Sequence, residues 1–578
     1  MTYEIPQQLE YQERIVFNLT FKQMFYALLF SPIVIGILFK LPIGIAYRVA
    51  IALLPSSLAC VFMFTDLPKK FWNWWKWRSY KEFKLEDKKM KEFFNLEKVE
   101  DDVLHLKNKR LSIIKVEPIN FSIKNQKEKD LIIVQFQKLL NSFDFPIQIV
   151  IATDSLNLDY YLQCLEKRAE KYVELFNNYK EYLHSIITTN SLLNRSFYLV
   201  IPEKENLSIQ TSVCEKLLTN MNLKFKTLKN EELTQCLSSF FNDIYSDEDK
   251  PINQEDYLHC SVAPKQIINH ANEIQIGNKI ARTIAVKGYP RAVEEGFLDK
   301  IVTLNGDFDL AIHIEPYPIE TMMLNLNKEL QKQRGDLWTM ENKGEINPVL
   351  EIKYQDTKNV LEQLQKGNEK LFNVSLYITC KGKTIEELNL LSKKVESELN
   401  SLMMIPSIPT YEMHKGIKSA IPLGVDELKI KRNVTTKPLS AFFPFTSQFL
   451  QVDESGIWFG LNKNNIPIIK DIFKLYNANG LVLASSGGGK SYFTKLMISR
   501  LLLNNTKVMV IDPQSEYVEL VKQFGGELIT ISRSSGTIIN PLDLMGHDFD
   551  EKKLTLLDLF PVMIGQTSDI QKAVLDRA

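Results

Sequence analysis

The sequence predicts a multidomain chain of the α/β and α+β classes that opens with a two-helix membrane hairpin. Three observations carry this. Two uncharged apolar runs, residues 24–39 and 49–65, stand near the N-terminus. From Val103 onward, stretches rich in β-branched residues alternate with stretches whose apolar residues recur at helical spacing. Near the C-terminal end an apolar run, GLVLA, meets a glycine-rich turn and then an apolar helical pattern. At 578 residues the length suits about three or four domains. The expected divisions are 1–85 for the hairpin, 86–262 and 263–430 for two α+β regions, and 431–578 for an α/β region around the glycine-rich turn.

In the hairpin, MFYALLFSPIVIGILF and VAIALLPSSLACVFMFT are joined by KLPIGIAYR. Runs of 16 and 17 residues reach about 25 Å as helices, so uncharged residues of the connection extend both spans toward a ~30 Å hydrocarbon core. Lys40 and Arg48 snorkel at the turn. The flank KKFWNWWKWRSYKEFK combines basic residues with Trp72, Trp74, Trp75 and Trp77, which suits a cytoplasmic membrane interface. Both ends of the hairpin are therefore expected in the cytoplasm, against the alternative of a buried hairpin in a soluble core. Glu4, Glu10 and Glu13 before the first run argue against a cleaved signal peptide.

The opening YEIPQQLEYQERIVFNLTFKQMFYALLF resembles the small PrgI-type membrane proteins of conjugation systems. Leu19, Thr20, Lys22 and Gln23 carry that match, over about the first 85 residues.

The middle reads as mixed α and β. SIIKVEPINF (112–121), IQIVIAT (147–153) and SFYLVIP are strands, and LIIVQFQKLLNSF is a helix. A helix over roughly 157–190 puts Leu162, Leu165, Ala169, Val173 and Phe176 on its inner face. SDEDKPINQED (246–256) is the expected loop. DFDLAIHIEPY, a helix at about 319–342, FNVSLYITCKG and TIEELNLLSKKVESELNSL continue the alternation, with Thr384 and Glu387 at capping-box spacing. The order suits a sandwich whose helices cover one face of a sheet. His313 and Glu315 alternate on one predicted strand and read as an exposed sheet face rather than acid–base chemistry.

Lys plus Arg and Asp plus Glu balance at 70 each, so bulk charge predicts no nucleic-acid partner, although local patches stay open. The six cysteines carry no C-x-x-C spacing and read as reduced. His259 beside Cys260 is too sparse for a zinc site.

Chemistry concentrates in ASSGGGKS, residues 484–491, which fits a phosphate-binding loop with Ala484 in place of the first glycine. Backbone N–H groups of Ala484, Ser485, Ser486, Gly487, Gly488 and Gly489 would curl around phosphate oxygens, Lys490 would reach the β- and γ-phosphates of ATP, and Ser491 would ligate Mg²⁺. GLVLA before it reads as a buried strand. KVMVIDPQSEY (507–517) reads as the next parallel strand, reached by a right-handed crossover, with Asp512 and Glu516 at its carboxyl edge. Glu516 either polarises water, with Asp512 beside it, or both acids simply sit at a helix N-terminus.

With NFSIKNQKEKD, FDFPIQIVIATDS, KPLSAFFPFTS, GIWFGLNKNNIPIIKDIF, NANGLVLASSGGGKS, VMVIDPQSEY and GTIINPLDL on the page, a family emerges. From about residue 100 onward the chain resembles the large ATPases of type IV secretion and conjugation systems, of the VirB/TraC/TraE type, related to HerA and FtsK motors. That resemblance implies a RecA-like P-loop domain, ATP and Mg²⁺ as cofactors, a hexameric homo-oligomer, other secretion-channel components as partners, and the ATPase portion on the cytoplasmic side of the cell membrane. No basic DNA-tracking segment is evident, and DNA contact stays open. The family pattern continues through a Walker B strand with paired acids, a sensor strand and an arginine finger. Here EKKLTLLDLFPVMIG reads as a helix and QTSDIQKAVLDRA as the start of another, so the expectation is ATP binding, with doubtful hydrolysis by this stretch alone. Two alternatives stand beside the motor: a non-hydrolysing membrane scaffold of the channel, and a HerA/FtsK-like DNA translocase.

Overall fold

The computed structural model describes residues 2–577 apart from 7–13, 17–18, 66, 101, 122–123, 156–157, 191–192, 242–257, 259–260, 343, 345–347, 368, 448–452, 462–466, 533–535, 537–539, 545 and 547. The expected loop at 246–256 and the His259–Cys260 pair lie outside the described residues. The chain divides into two units, one formed by residues 1–164 and 174–472, the other by 165–173 and 473–578.

In the first unit the apolar runs form helices α1 (Phe21–Lys40) and α2 (Ile45–Phe64), each 20 residues, or about 30 Å. The Leu-Thr-x-Lys-Gln start of α1 has a local cause. Thr20 Oγ1 accepts from the Gln23 amide at 3.4 Å while Gln23 Oε1 accepts from the Thr20 amide at 2.9 Å, a reciprocal cap. At the turn, Arg48 donates to the Ile43 carbonyl of the connection at 2.7 Å and to the Leu38 carbonyl at 3.3 Å, an acceptor that the end of α1 leaves open. Phe62 of α2 packs edge-on against Tyr26 and Phe30 of α1. Most outward residues are bare: Leu28, Ile35, Leu53 and Leu54 are all exposed.

Both ends of this hairpin are tied to the same body. Thr2–Glu4 pairs antiparallel with Ala292–Glu294, Ile5 is buried, and Arg432 donates to the Pro6 carbonyl at 2.6 Å. After α2 comes α3 (Leu67–Trp77), whose last indole donates to the Asn269 carbonyl at 2.9 Å.

The body is built on one sheet of 14 strands among the described residues. Its centre runs, in spatial order, Lys279–Gly288, Leu371–Gly382, Phe308–Pro316, Ile147–Ser155, Leu193–Pro202 and Lys109–Val116, all antiparallel. Ile149 stands opposite both Ile312 and Leu199 in this register. Successive residues point to opposite faces, and both faces are covered. Ile149, Ile151, Leu310 and Ile312 pack with Phe136 and Leu140 of the Gln126–Ser142 helix, while Val150, Ala152 and Ala311 pack with Met413 and Ile417 of the Met413–Ala420 helix. The expectation of helices on one face alone is thus corrected. A sheet buried on both sides needs near-continuous apolar strands, and IQIVIA and DLAIHI supply them.

The same double cover corrects the reading of His313. It is buried, and its Nε2 donates to the Ser419 carbonyl at 2.7 Å, while Glu315 at the strand's rim pairs with Lys431. The long helix over 157–190 is two helices, Asp159–Arg168 and Val173–Asn190, interrupted where Tyr172 N bonds back to the Ala169 carbonyl. Leu162, Leu165, Ala169 and Phe176 are buried, but Val173, the first residue of the second helix, is 58% exposed. The strand expected over 112–121 ends at Val116. Among the described residues no disulfide forms; Cys214, Cys236 and Cys380 are buried.

Candidate phosphate-binding site

The second unit holds the glycine-rich turn. Ala484 precedes the turn, Ser485 and Ser486 form its first half, and the helix Lys490–Leu503 follows it, with Gly489 as its N-cap at φ +80°. Gly487 also has positive φ, +77°. Left-handed residues on either side of Gly488 make the backbone N–H groups converge, the geometry of an anion nest. Gly488 N bonds to the Ser485 carbonyl at 2.9 Å, closing the turn. A Cβ on Gly488 would stand 3.0 Å from Ser485 O and 3.2 Å from the Ala484 methyl, so any side chain there would push the turn open by a few tenths of an ångström or more.

The helix makes its first backbone bond from Phe493 N to Gly489 O at 2.9 Å, which leaves the amides of Lys490, Ser491 and Tyr492 without an intrahelical acceptor. These donors and the positive end of the helix dipole face the mouth of the turn, and Lys490 stands at its exposed edge. Residues 481–490 are all open to solvent. The turn fits the phosphates of a nucleotide: it offers donors, a cation and no carboxylate of its own.

Asp512 and Glu516 take different parts. Asp512 spends both carboxylate oxygens on backbone amides, Oδ1 on Gln514 at 3.2 Å and Oδ2 on Tyr517 at 2.9 Å. It thereby shapes the 512–517 loop, in which Ser515 adopts φ +59°. Glu516 stands exposed on that loop. The loop is tied to the helix that begins with Lys490, because Lys495 lies 5.6 Å from the centre of the Tyr517 ring. That contact was not read from the sequence; the signal for it is an aromatic residue directly after the acid and a lysine one turn and a half beyond Lys490. The Tyr172 ring meets Phe524 edge-on at 5.4 Å within the same unit.

The expected strands on either side of the turn do not pair. Among the described residues, 480–485 and 507–512 form no strand ladder, and Leu481 and Leu483 are each 81% exposed, Ile511 87%. The sequence reading of GLVLA as buried is corrected here. Sheet strands bury their faces only against neighbouring strands and covering helices, and these two segments do not serve as each other's neighbour. Residues 549–564 and 569–577 are helices, as expected.

Known proteins share both parts of the chain. Residues 459–578 match the central domain of helicase HerA, and residues 97–237 match the archaeal TraC-like domain. These matches support an ATPase of the HerA, FtsK and TraC type. The chain is also similar to the probable DNA double-strand break repair helicase HerA of Methanocaldococcus jannaschii, 30% identical over 102 residues, which is 18% of this chain and 20% of that protein. A second relative, an uncharacterized protein of Aquifex aeolicus, is 36% identical over 66 residues, 11% of this chain and 24% of its own length. The chain therefore spans about a fifth to a quarter of the curated relatives it matches.

Proposed function

We propose that this chain is a membrane-anchored, ATP-binding motor or assembly ATPase of a conjugative type IV secretion system, energising the passage of DNA or protein. The observation that carries it is the nest at Gly487 and Gly489 on the N-terminus of a helix that begins Lys490–Ser491. ATP with Mg²⁺ would supply a transferable γ-phosphoryl group. The amides of 487–492 would hold its phosphates, Lys490 would neutralise the β- and γ-oxygens, and Ser491 would ligate the metal. Glu516 is the residue assigned to polarise water. Asp512, its companion acid, acts by holding the loop that presents Glu516. Turnover is assigned to the site once a second acid near the metal and an arginine from a neighbouring copy join it.

The membrane part of the proposal rests on the two apolar helices, each 20 residues long and largely exposed along its apolar surface. The attachment of residues 2–6 and of Trp77 to one body supports a hairpin with both ends on the same side of the bilayer. The tryptophans and lysines of α3 support the cytoplasmic side. A hexamer and contacts with other channel proteins follow from the resemblance to conjugation ATPases. The PrgI-like assignment of residues 1–85 belongs to the same reading.

Lys490→Ala in the full protein tests it. The expected result is nucleotide affinity weakened at least about tenfold with an unchanged melting temperature, together with lost transfer from donor cells whose channels still assemble. Unchanged nucleotide binding would overturn the site. Normal transfer despite lost binding would leave the scaffold reading. The similarity of residues 459–578 to HerA favours a second reading, a DNA translocase acting outside secretion. ATPase activity that rises with duplex DNA in the absence of any channel component would favour it.

A further inference from the structure

Between α3, the next helix α4 (Lys88–Phe94) and the Met413–Ala420 helix lies a cavity of about 550 Å³. That size is within the range of small-molecule sites. Its floor is apolar, with Phe83 and Phe93 buried. Its rim is aromatic and basic. Trp72 and Trp75 are each 58% exposed, and the Lys76 ammonium sits 5.3 Å from the centre of the Trp72 ring. Lys89 donates to the Ser79 carbonyl at 2.6 Å and lies 5.9 Å from the Tyr80 ring.

The charges are arranged unevenly. Glu412 is met by Lys415 and Glu427 by Lys418, both at 2.7 Å, and Glu92 by Lys88 at 3.9 Å. Among the described residues Lys76 and Lys89 touch rings and a carbonyl rather than a carboxylate, so both keep their charge for an anion. The position matters as much as the charge. α3 begins at Leu67, three residues after α2 ends at Phe64, so a hairpin that spans a bilayer brings α3, which lines the cavity, out beside the headgroups.

We propose that this cavity is a phospholipid-headgroup site, with Lys76 and Lys89 on the phosphate oxygens of an anionic lipid and the Trp72 and Trp75 indoles against its glycerol backbone. Exposed indoles and an apolar floor favour an esterified phosphate at a bilayer over a free one, and basic pockets beside membrane helices on the cytoplasmic face suit such headgroups. The inference rests on the reading of α1 and α2 as a membrane hairpin. Such a site would fix the depth and rotation of the body against the membrane.

The test uses the full chain in neutral detergent, titrated with phosphatidylglycerol, phosphatidylcholine and glycerol 3-phosphate and read by native mass spectrometry of the bound species. Phosphatidylglycerol is expected to bind about tenfold more tightly than phosphatidylcholine. The double variant Lys76→Ala/Lys89→Ala is expected to weaken phosphatidylglycerol about thirtyfold, the worth of two lysines facing an anionic headgroup, and to weaken phosphatidylcholine, whose choline cation offsets the same phosphate, by less. Both lysines are exposed, and an unchanged melting temperature shows that the variant is folded. Equal binding of phosphatidylglycerol by variant and wild type would overturn the proposal. Glycerol 3-phosphate binding as tightly as the lipid would overturn the lipid as occupant and assign the cavity to a soluble phosphate ester. Alkaline extraction of native membranes separates the hairpin from the pocket: release of the wild type into the supernatant overturns the membrane reading whatever the micelle titration gives.

Discussion

At the scale of single residues, the glycines of the phosphate turn do two separable things. Gly489 supplies a left-handed φ of +80° with nothing within 4 Å of where a Cβ would stand, so Gly489→Ala meets backbone strain alone, about 1–2 kcal/mol. Gly488 supplies space, since a Cβ there would crowd Ser485 O. Gly488→Val is therefore expected to open the turn and abolish nucleotide binding, while Gly489→Ala weakens it about tenfold; calorimetric titration with ATP ranks the two. A second residue makes a pH prediction. The His414 ring stacks on Tyr80 at 5.1 Å, and its Nδ1 accepts from Asn269 Nδ2 at 3.1 Å, which requires that nitrogen unprotonated. Burial, assisted by Lys415, pushes the imidazole down to about 4, against the opposing pull of Glu427 and Glu412. A folded-state value below the unfolded one means that the unfolded chain binds the extra proton. The stabilisation is then complete above about pH 6.5 and lost as pH falls toward 4, on the order of 2–3 kcal/mol. His414→Phe keeps a ring against Tyr80 but takes no proton, so its stability should fall less than the wild type's between pH 7 and 4.5 in denaturant titrations. Parallel profiles for the two proteins would refute the assignment.

At the scale of elements, local chemistry decided what the sequence could reveal. Thr384 and Glu387 were legible because capping is local. Thr384 Oγ1 accepts from the Glu387 amide at 3.2 Å, and Glu387 reaches back to the Lys383 amide at 3.0 Å. Thr384→Ala should cost about 1 kcal/mol. Gly382, two residues earlier, should tolerate less: a Cβ there would stand 2.9 Å from the Leu388 backbone nitrogen, so Gly382→Ala should destabilise more than Thr384→Ala in the same denaturant series. The central strands were legible for a comparable reason, since IQIVIA and SLYITC hold apolar residues on both faces. The Lys279–Gly288 strand and the Pro348–Gln365 helix were not read at all. Lys279, Arg282 and Lys287 interrupt the apolar pattern of the first, and only the structure shows Arg282 meeting Glu273 at 2.9 Å and Lys279 meeting Asp307 at 2.9 Å. The break between residues 168 and 173 escaped for the opposite reason: apolar spacing continues across it, and periodicity reports a face without reporting an interruption. In the candidate site, the glycine turn could be read outright, whereas the role of Asp512 depended on which amides its oxygens reach.

At the scale of the whole molecule, the proposed membrane anchoring turns on the two apolar helices of the first 80 residues. The exposed apolar surface of α1 and α2 has two readings with opposite consequences for one substitution. Leu29 is 54% exposed and lies near the middle of α1. If the hairpin spans a bilayer, Leu29→Arg puts a cation near the hydrocarbon centre, a cost of about 2.5–3.5 kcal/mol on insertion scales. If the hairpin lies in water, the same change replaces an exposed apolar side chain by a charged one and shifts stability by no more than about 0.5 kcal/mol. The expected outcome is a sharp fall in the carbonate-resistant membrane fraction of Leu29→Arg, with the soluble remainder still binding nucleotide through Lys490. The attachment of residues 2–6 and Trp77 to one body makes this result specific to insertion, because the variant leaves both attachments in place. A variant that fractionates like the wild type would remove the membrane from the proposed function. The phosphate turn and its tests would stand, since they depend only on residues 484–517.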